Sequence, residues 1–379
     1  MPVVVTLLAL LVLEGILRTL GYDPLGEWVR EEGRARVVRL STFEDLRYQL
    51  VPGASGGAWN MKVTVNSHGF RDREYSPAKG DDYRIAVLGD SITFGNGVPI
   101  EEAYSEVLEA SLNDRFERRV DVLNMGVGGY DVVQEVAQLE HYGLRFDPDL
   151  VILGFCTNDI GDFTANEKYL RGMERLESPV YRLRVAQFVR VSLDRVAALY
   201  TLLKGTTDEE FFEARQRYIL PIDGDAELRS MMGPLDDVAF EDSDTFRLDR
   251  GLLAWWASEV HVGMLEYAFS RLARLRAEFG FEALIVVFPW LGEGEHWETV
   301  YRILEHEARK FDLPVLQLPE LASAGFSSVR MVDRDRLHPN ARGHQIIAGA
   351  IERHLLERGL AEKLGEPSGP TPGPGPQGP

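Results

Sequence analysis

Two short motifs in this sequence contain residue types that together could transfer an acyl group. Gly89-Asp90-Ser91 directly follows an apolar run, so Ser91 would lie at the carboxyl end of a buried strand, where open α/β sheets place their sites. In Asp335-Arg-Leu-His338, the spacing allows Asp335 to accept a hydrogen bond from His338 Nδ1 and leaves Nε2 facing a serine proton. The residues therefore suggest a Ser-Asp-His triad; a helix cap at Ser91 and a turn at Asp335 are the alternatives.

Two further strand ends offer hydrogen-bond donors for an oxyanion. Gly128 and Gly129 follow Asn124, and the lack of side chains lets a backbone N–H approach a substrate closely. Asn158 follows another apolar run, and its side-chain amide can point an N–H into the same cleft. A tight turn for the glycines and a helix cap for Asn158 are the structural alternatives. The coincidence of all these groups at strand ends favours the catalytic interpretation.

The elements that must position these residues alternate between short apolar runs and amphipathic stretches. The apolar runs, typical of strands buried on both faces of a parallel sheet, are 85–88, 120–125, 150–155, 283–288 and 314–318. The stretches with helical spacing are 101–116, 132–142, 252–279, 297–311 and 341–356. This order predicts an α/β fold: a three-layer α/β/α sandwich around a parallel five-stranded sheet.

The same pattern predicts the domain organisation. The main domain covers 81–360, preceded by a pre-domain segment over 21–80 and followed by a Pro/Gly-rich flexible tail over 361–379. The gap between the third and fourth strands is far longer than a crossover needs, which predicts a helical insertion over about 161–258. We expect this insertion to form a lid or subdomain.

The motifs resemble those of the SGNH hydrolase superfamily, also called GDSL esterases. The matching blocks are Gly89-Asp90-Ser91, Asn124 to Gly129, Asn158-Asp159 and Asp335-x-x-His338-Pro339. The resemblance implies a flavodoxin-like sandwich with Ser91 as nucleophile and with Asp335 and His338 as acid and base. It also implies an oxyanion hole formed by Ser91, Gly129 and Asn158, and a reaction that requires no metal or organic cofactor. The segment from Asn66 to Asp72 and the apolar N-terminal segment of this chain are similar to those of a bacterial, membrane-associated branch of the superfamily.

The composition limits the partners. The 41 Lys and Arg residues against 60 Asp and Glu give a formal charge of −19, which repels nucleic-acid phosphates and disfavours nucleic acid as a partner. With Cys156 as the single cysteine, the chain can form neither an intrachain disulfide nor a Cys-rich metal site. The sequence leaves the oligomeric state open.

Residues 1–20 are expected to engage a membrane or to direct export. Val3 to Leu13 is apolar except for Thr6, and eleven residues do not span a bilayer. Glu14 and Arg18 follow at a spacing that allows an ion pair on one helix face. We expect a membrane anchor or signal segment with an extracytoplasmic catalytic domain; a hydrophobic helix docked on the domain is the alternative.

Three functional hypotheses follow from the resemblance and the residues. The first is a serine hydrolase that cleaves a carboxylic ester, with an O-acetyl group on a glycan as a candidate substrate. The second is an O-acyltransferase that passes the acyl group to a saccharide hydroxyl. The third is a catalytically silent protein that binds or assembles glycans, which an intact set of Ser91, Asp335 and His338 disfavours.

Overall fold

The structure is a computed structural model that describes most of the chain before residue 161 and after residue 258. Most of the predicted insertion and most of the predicted tail lie outside the described residues, as does Asp335, so the predicted domain boundaries stay predictions. The described residues are 2–23, 37–58, 61–161, 166–167, 170–171, 174–175, 178–189, 192, 256, 258–289, 291, 296–329 and 337–365.

The N-terminal helix α1 (Pro2–Thr19) leaves most of its apolar side chains exposed. Arg18 Nε donates to Glu14 Oε1 at 2.7 Å, as their spacing predicts, and Val185 N donates to Glu14 Oε2 at 2.9 Å. The end of α1 therefore contacts the 178–189 segment. Among the described residues, no helix has both the length and the apolar character needed to cross a membrane. Membrane contact by residues 1–20 stays a prediction.

Four short strands precede the main sheet and form two antiparallel pairs. β1 (Val38–Leu40) pairs with β2 (Tyr48–Leu50), and β3 (Ser55–Ala58) pairs with β4 (Met61–Thr64). The sequence predicted a wrapped segment here but no strands, because runs of three or four residues are too short to show a period.

Five parallel strands form the main sheet, in the order β6-β5-β7-β8-β9. Their bounds are β5 (Tyr83–Gly89), β6 (Val120–Asn124), β7 (Leu150–Phe155), β8 (Glu282–Val287) and β9 (Val315–Gln317). Strand order reverses at β5, which has β6 on one side and β7 on the other. The carboxyl ends of β5 and β7 thus lie at the switch point where this topology places ligands.

Helices pack on both faces of the sheet, which confirms the predicted α/β/α sandwich. The helices are α2 (Ser91–Phe94), α3 (Tyr104–Arg115), α4 (Val132–Gln138), α5 (Glu259–Phe279), α6 (His296–Lys310), α7 (Pro319–Ser323), α8 (Phe326–Val329), α9 (Ala341–Glu357) and α10 (Leu360–Leu364). Short 3-10 turns cover Ile100–Glu102, Leu144–Phe146 and Pro179–Arg182, and a π turn covers Leu139–Gly143. α5 begins at Glu259, after the extended backbone of Ser258, and most of the predicted helical stretch before it lies outside the described residues.

The alternation of side chains along β5 explains the two cores. Ala86 and Leu88 pack with α4, α5 and α6 on one face, while Ile85 and Val87 pack with α3, α9 and α10 on the other. All four side chains are at most 1% exposed. Because burial on both faces fixes the strand, the backbone that follows Gly89 starts from a rigid position.

Candidate active site

The turn that presents Ser91 is fixed by its own residues; we call residues 89–95 the serine turn. Asp90 caps α2, and its Oδ1 accepts the N–H of Ile92 at 2.9 Å. A Cβ at Gly89, whose φ is +154°, would lie 2.1 Å from Thr93 Oγ1, so only glycine fits. Gly95 ends the helix in the left-handed region, with φ +79°. Ser91 therefore sits at the first position of α2, at the carboxyl end of a central strand.

The structure brings Ser91 and His338 together. Ser91 Oγ lies 2.9 Å from His338 Nε2, the contact through which a hydroxyl proton can pass to an imidazole. Asn340 caps α9 by accepting the N–H of Gly343 at 3.1 Å, which places His338 just before the helix. Asp335, the third predicted member of the triad, lies outside the described residues. The catalytic roles of these residues stay predictions.

Asp90 joins two of the predicted site residues, a role that the sequence analysis missed. Its Oδ2 lies 3.1 Å from Ser91 Oγ, within hydrogen-bond distance, and accepts a hydrogen bond from Asn158 Nδ2 at 3.3 Å. The Asp90 side chain is 1% exposed, so these bonds form away from bulk water. The one sequence feature that could have indicated this role of Asp90 is its position next to Ser91 in the Gly-Asp-Ser motif.

Asn158 follows β7 in a tight turn rather than at a helix cap. Asp159 N donates to Cys156 O at 3.0 Å, and Gly161 N donates to Asn158 O at 2.8 Å. The turn directs the Asn158 amide toward Asp90 and so places it beside Ser91. Burial raises the pKa of the Cys156 thiol well above its ordinary value, so this cysteine stays protonated and packs as an apolar group.

The loop after β6 contains the predicted backbone donor; we call residues 127–130 the glycine turn. Tyr130 N donates to Val127 O at 3.1 Å, and Gly129 has φ +76°, which together define a type II turn. Val127 N donates to Gly89 O at 3.1 Å, so the glycine turn lies beside the serine turn. Among the described residues, the Gly129 N–H donates to no group, as an oxyanion donor requires.

The pre-domain segment contacts both turns. Arg71 is 4% exposed and donates to three carbonyls of the serine turn and its continuation: Phe94 O at 2.7 Å, Gly95 O at 2.8 Å and Val98 O at 2.8 Å. Burial lowers the pKa of Arg71 to about 10, which leaves the guanidinium charged at neutral pH. On the other side, Tyr48 OH donates to Gly128 O at 2.9 Å. Sequence reasoning gave neither residue a role: Arg71 lies in the Asn66 to Asp72 segment, which was singled out only for its resemblance, and no local motif surrounds Tyr48.

Buried carboxyl groups lie behind the serine turn. Asp90, Asp131, Glu135 and Asp159 are each at most 1% exposed. Burial, followed by repulsion from the neighbouring carboxylates, raises the pKa of Glu135 and of Asp159 well above the ordinary range. Protonation of these two groups would reduce the negative charge that an oxyanion near Ser91 must face. In the described part of the chain, no group of three or more His, Cys, Asp or Glu side chains could bind a metal ion.

We compared the chain with known protein families and with curated proteins. Residues 87–219 match the GDSL-like Lipase/Acylhydrolase family. No curated protein matches the chain.

Solved structures similar to this chain include several hydrolases. LAE5, an alpha/beta hydrolase from the metagenome of Lake Arreo, Spain, is 16% identical, with a TM-score of 0.39 over 73% of this chain and 95% of its own. The lipase/acylhydrolase of Enterococcus faecalis is 13% identical, with a TM-score of 0.38 over 73% and 96%. A two-domain esterase active on acetylated mannans is 16% identical, with a TM-score of 0.39 over 78% and 54%.

Proposed function

We propose that this chain, whose residues 87–219 match the GDSL-like Lipase/Acylhydrolase family, is an ester hydrolase that works through Ser91 and a covalent acyl-enzyme. The observation that supports the proposal most directly is the 2.9 Å contact between Ser91 Oγ and His338 Nε2. Nucleophile and base within hydrogen-bond reach are the signature of covalent acyl transfer.

In the first step, Ser91 Oγ attacks the ester carbonyl carbon while its proton passes to His338 Nε2. Asp335 would accept from His338 Nδ1, orient the ring and stabilise the imidazolium. His338 then gives the proton to the alkoxy leaving group. The alcohol departs, and the acyl group stays bound to Ser91 Oγ as an ester. In the second step, water loses a proton to His338 and attacks the acyl carbon, and Ser91 recovers its proton as the acid leaves.

The tetrahedral intermediates of both steps carry negative charge on the former carbonyl oxygen. We propose that the N–H groups of Ser91 and Gly129 and the amide of Asn158 bind this oxyanion. Asn158 can donate one N–H to Asp90 and the other to the oxyanion, so its contact with Asp90 orients the amide rather than using up its donors. Losing one such donor commonly costs on the order of 100- to 1,000-fold in kcat.

We propose a short acyl group on a sugar hydroxyl as the substrate class. Polar side chains lie along the Ser91–His338 pair: Asp90 contacts Ser91, Asn158 contacts Asp90, and Asn96 Nδ2 lies 3.4 Å from His338 Nε2. A long alkyl chain would desolvate these groups without replacing their hydrogen bonds, whereas a hydroxylated alcohol can pair with them. An acetyl ester of a saccharide satisfies this requirement.

Hydrolysis of p-nitrophenyl esters from acetyl to long-chain, by the protein and by Ser91→Ala, tests the proposal. We expect turnover with short acyl chains and its loss, by at least about 1,000-fold, in Ser91→Ala. Turnover that persists in folded Ser91→Ala would exclude the serine mechanism. Release of acetate from an acetylated oligosaccharide then tests the substrate class, and transfer of the acetyl group to an added sugar would favour an acyltransferase instead.

We also propose that residues 1–20 attach the protein to a membrane, with the catalytic part outside the cytoplasm. The exposed apolar side chains of α1 support the membrane contact, since water-exposed apolar surface of this extent is costly. Cell fractionation of the full chain and of a chain lacking residues 1–20 tests it. The full chain should sediment with membranes and the shortened chain should not; a full chain found in the soluble fraction would contradict the proposal.

A further inference from the structure

The Gly128–Gly129 peptide has two orientations that its own residues scarcely distinguish. Type I and type II turns differ by a half-rotation of the central peptide, and φ near +80° at the third position selects type II. Gly129 has φ +76°, so the turn is type II. Because both central residues are glycine, neither orientation meets a Cβ penalty. Contacts from outside the turn must therefore select the observed one.

Two hydrogen bonds from outside the turn reach the carbonyl of this peptide. Tyr48 OH donates to Gly128 O at 2.9 Å, and Asn166 Nδ2 donates to the same oxygen at 3.3 Å. Asn166 Nδ2 also donates to Tyr48 OH at 3.1 Å, so the hydroxyl accepts one bond and gives the other to Gly128 O. Tyr48 is fully buried, so its hydroxyl is not free to turn toward water.

The C=O of Gly128 and the N–H of Gly129 belong to one peptide group. In a trans peptide they point in opposite directions, so fixing the oxygen toward Tyr48 directs the N–H away from it. A half-rotation would remove both hydrogen bonds and reverse the N–H. From this geometry we infer that Tyr48 is a positioning residue, which sets the orientation of the Gly129 N–H that binds the oxyanion.

This inference rests on the proposed function, because it assigns Tyr48 a task within that mechanism. It also assigns a role to the pre-domain segment, since Tyr48 lies on β2, outside the parallel sheet. The sequence does not indicate this role for Tyr48, because the residue lies 80 positions before Gly128, whose carbonyl it contacts.

Tyr48→Phe, with Tyr142→Phe as its control, tests the role. Tyr142 packs against the same buried cluster as Tyr48 and donates its hydroxyl to Gln49 Oε1 at 2.9 Å, whereas the described donors to Gly128 O are Tyr48 and Asn166. Tyr48→Phe should lower kcat about tenfold with KM nearly unchanged, because the lost interaction acts on the transition state. The loss stays below the 100- to 1,000-fold cost of a missing donor, because Asn166 keeps one bond to Gly128 O. Tyr142→Phe should keep the kcat of the unchanged protein, because its hydroxyl bonds Gln49.

A trifluoromethyl ketone inhibitor provides a second readout, because its adduct with Ser91 places an oxyanion in the same position. Its affinity should fall in Tyr48→Phe by the same factor as kcat/KM. Equal losses of kcat in the two Tyr→Phe variants, or a raised KM at unchanged kcat, would overturn the inference. If Tyr48→Phe does not fold, Asn166→Ala replaces it with the same outcomes, since it removes the other donor to Gly128 O. Turnover that persists in Ser91→Ala would instead reject the proposed function.

Discussion

The serine turn and the glycine turn follow neighbouring strands, β5 and β6, yet they are stabilised in different ways. The serine turn contains its own cap, since Asp90 accepts the N–H of Ile92. Arg71 then adds three hydrogen bonds to the carbonyls at its far end. The glycine turn has no side chain at its two central positions, and its central peptide depends on donors from β2 and from Asn166.

This difference matches the roles that we propose for the two turns, a nucleophile in the serine turn and a backbone donor in the glycine turn. A side-chain nucleophile needs a rigid backbone, which a capped helix and a buried strand supply. A backbone N–H donor needs close approach by the substrate, and the glycines that permit it also permit rotation of the peptide. Rigidity must then come from elsewhere in the chain. We therefore expect changes in the glycine turn to affect turnover, and changes around the serine turn to affect stability first.

Gly129→Ala should produce the larger effect. The Cβ would lie 2.8 Å from Asn166 Nδ2 and 3.1 Å from Tyr48 OH, the two groups that orient the peptide. We expect kcat for a short-chain ester to fall by about 100-fold or more, as for a lost oxyanion donor. The positive φ adds a cost in stability of about 1–2 kcal/mol.

Gly280→Ala is the control for that strain. Gly280 ends α5 with φ +78°, and a Cβ there would meet no atom within 4 Å. The Gly280→Ala variant should lose a similar amount of stability, while its kcat stays unchanged. Equal kcat in the two alanine variants would show that the glycine turn contributes no donor, and the contrast between the two turns would fail.

Arg71→Lys should produce a smaller effect on turnover and a clear effect on stability. One ammonium cannot reproduce the planar fork that reaches three carbonyls, so about 2–4 kcal/mol of stability should be lost. Because the Asp90 cap and β5 still position Ser91, kcat at low temperature should fall by less than about threefold. Urea unfolding and ester kinetics measure the two quantities. A large loss of kcat at unchanged stability would contradict the expectation that Arg71 acts mainly on stability.

The sheet was predictable because each strand shows its burial within a few adjacent residues. Leu150–Phe155 is apolar throughout, and no partner sequence is needed to recognise it as a buried strand. The pairing of Ser91 with His338 was predictable for a related reason: each lies in a short motif whose residue types suit acid–base chemistry. The structure places the two side chains in contact.

The residues that orient the site could not be predicted in this way. Arg71 acts on backbone carbonyls 23 to 27 residues away, and Tyr48 on one 80 residues away. Backbone acceptors look the same in every sequence, so nothing local identifies the partner of such a donor. Asp90 was within the recognised motif, but its bond to Asn158 required the spatial pairing of β5 with β7.

The sequence separation of 247 positions between Ser91 and His338 also has a consequence for protein synthesis. A ribosome adds about 5–20 residues per second, so Ser91 emerges roughly 10 to 50 s before its base has been made. Throughout that interval the hydroxyl has no imidazole to accept its proton, and a neutral serine is a poor nucleophile. Under the proposed mechanism, the chain on the ribosome is therefore inactive during that interval, and hydrolytic activity begins only after the region that contains His338 has been made and docks.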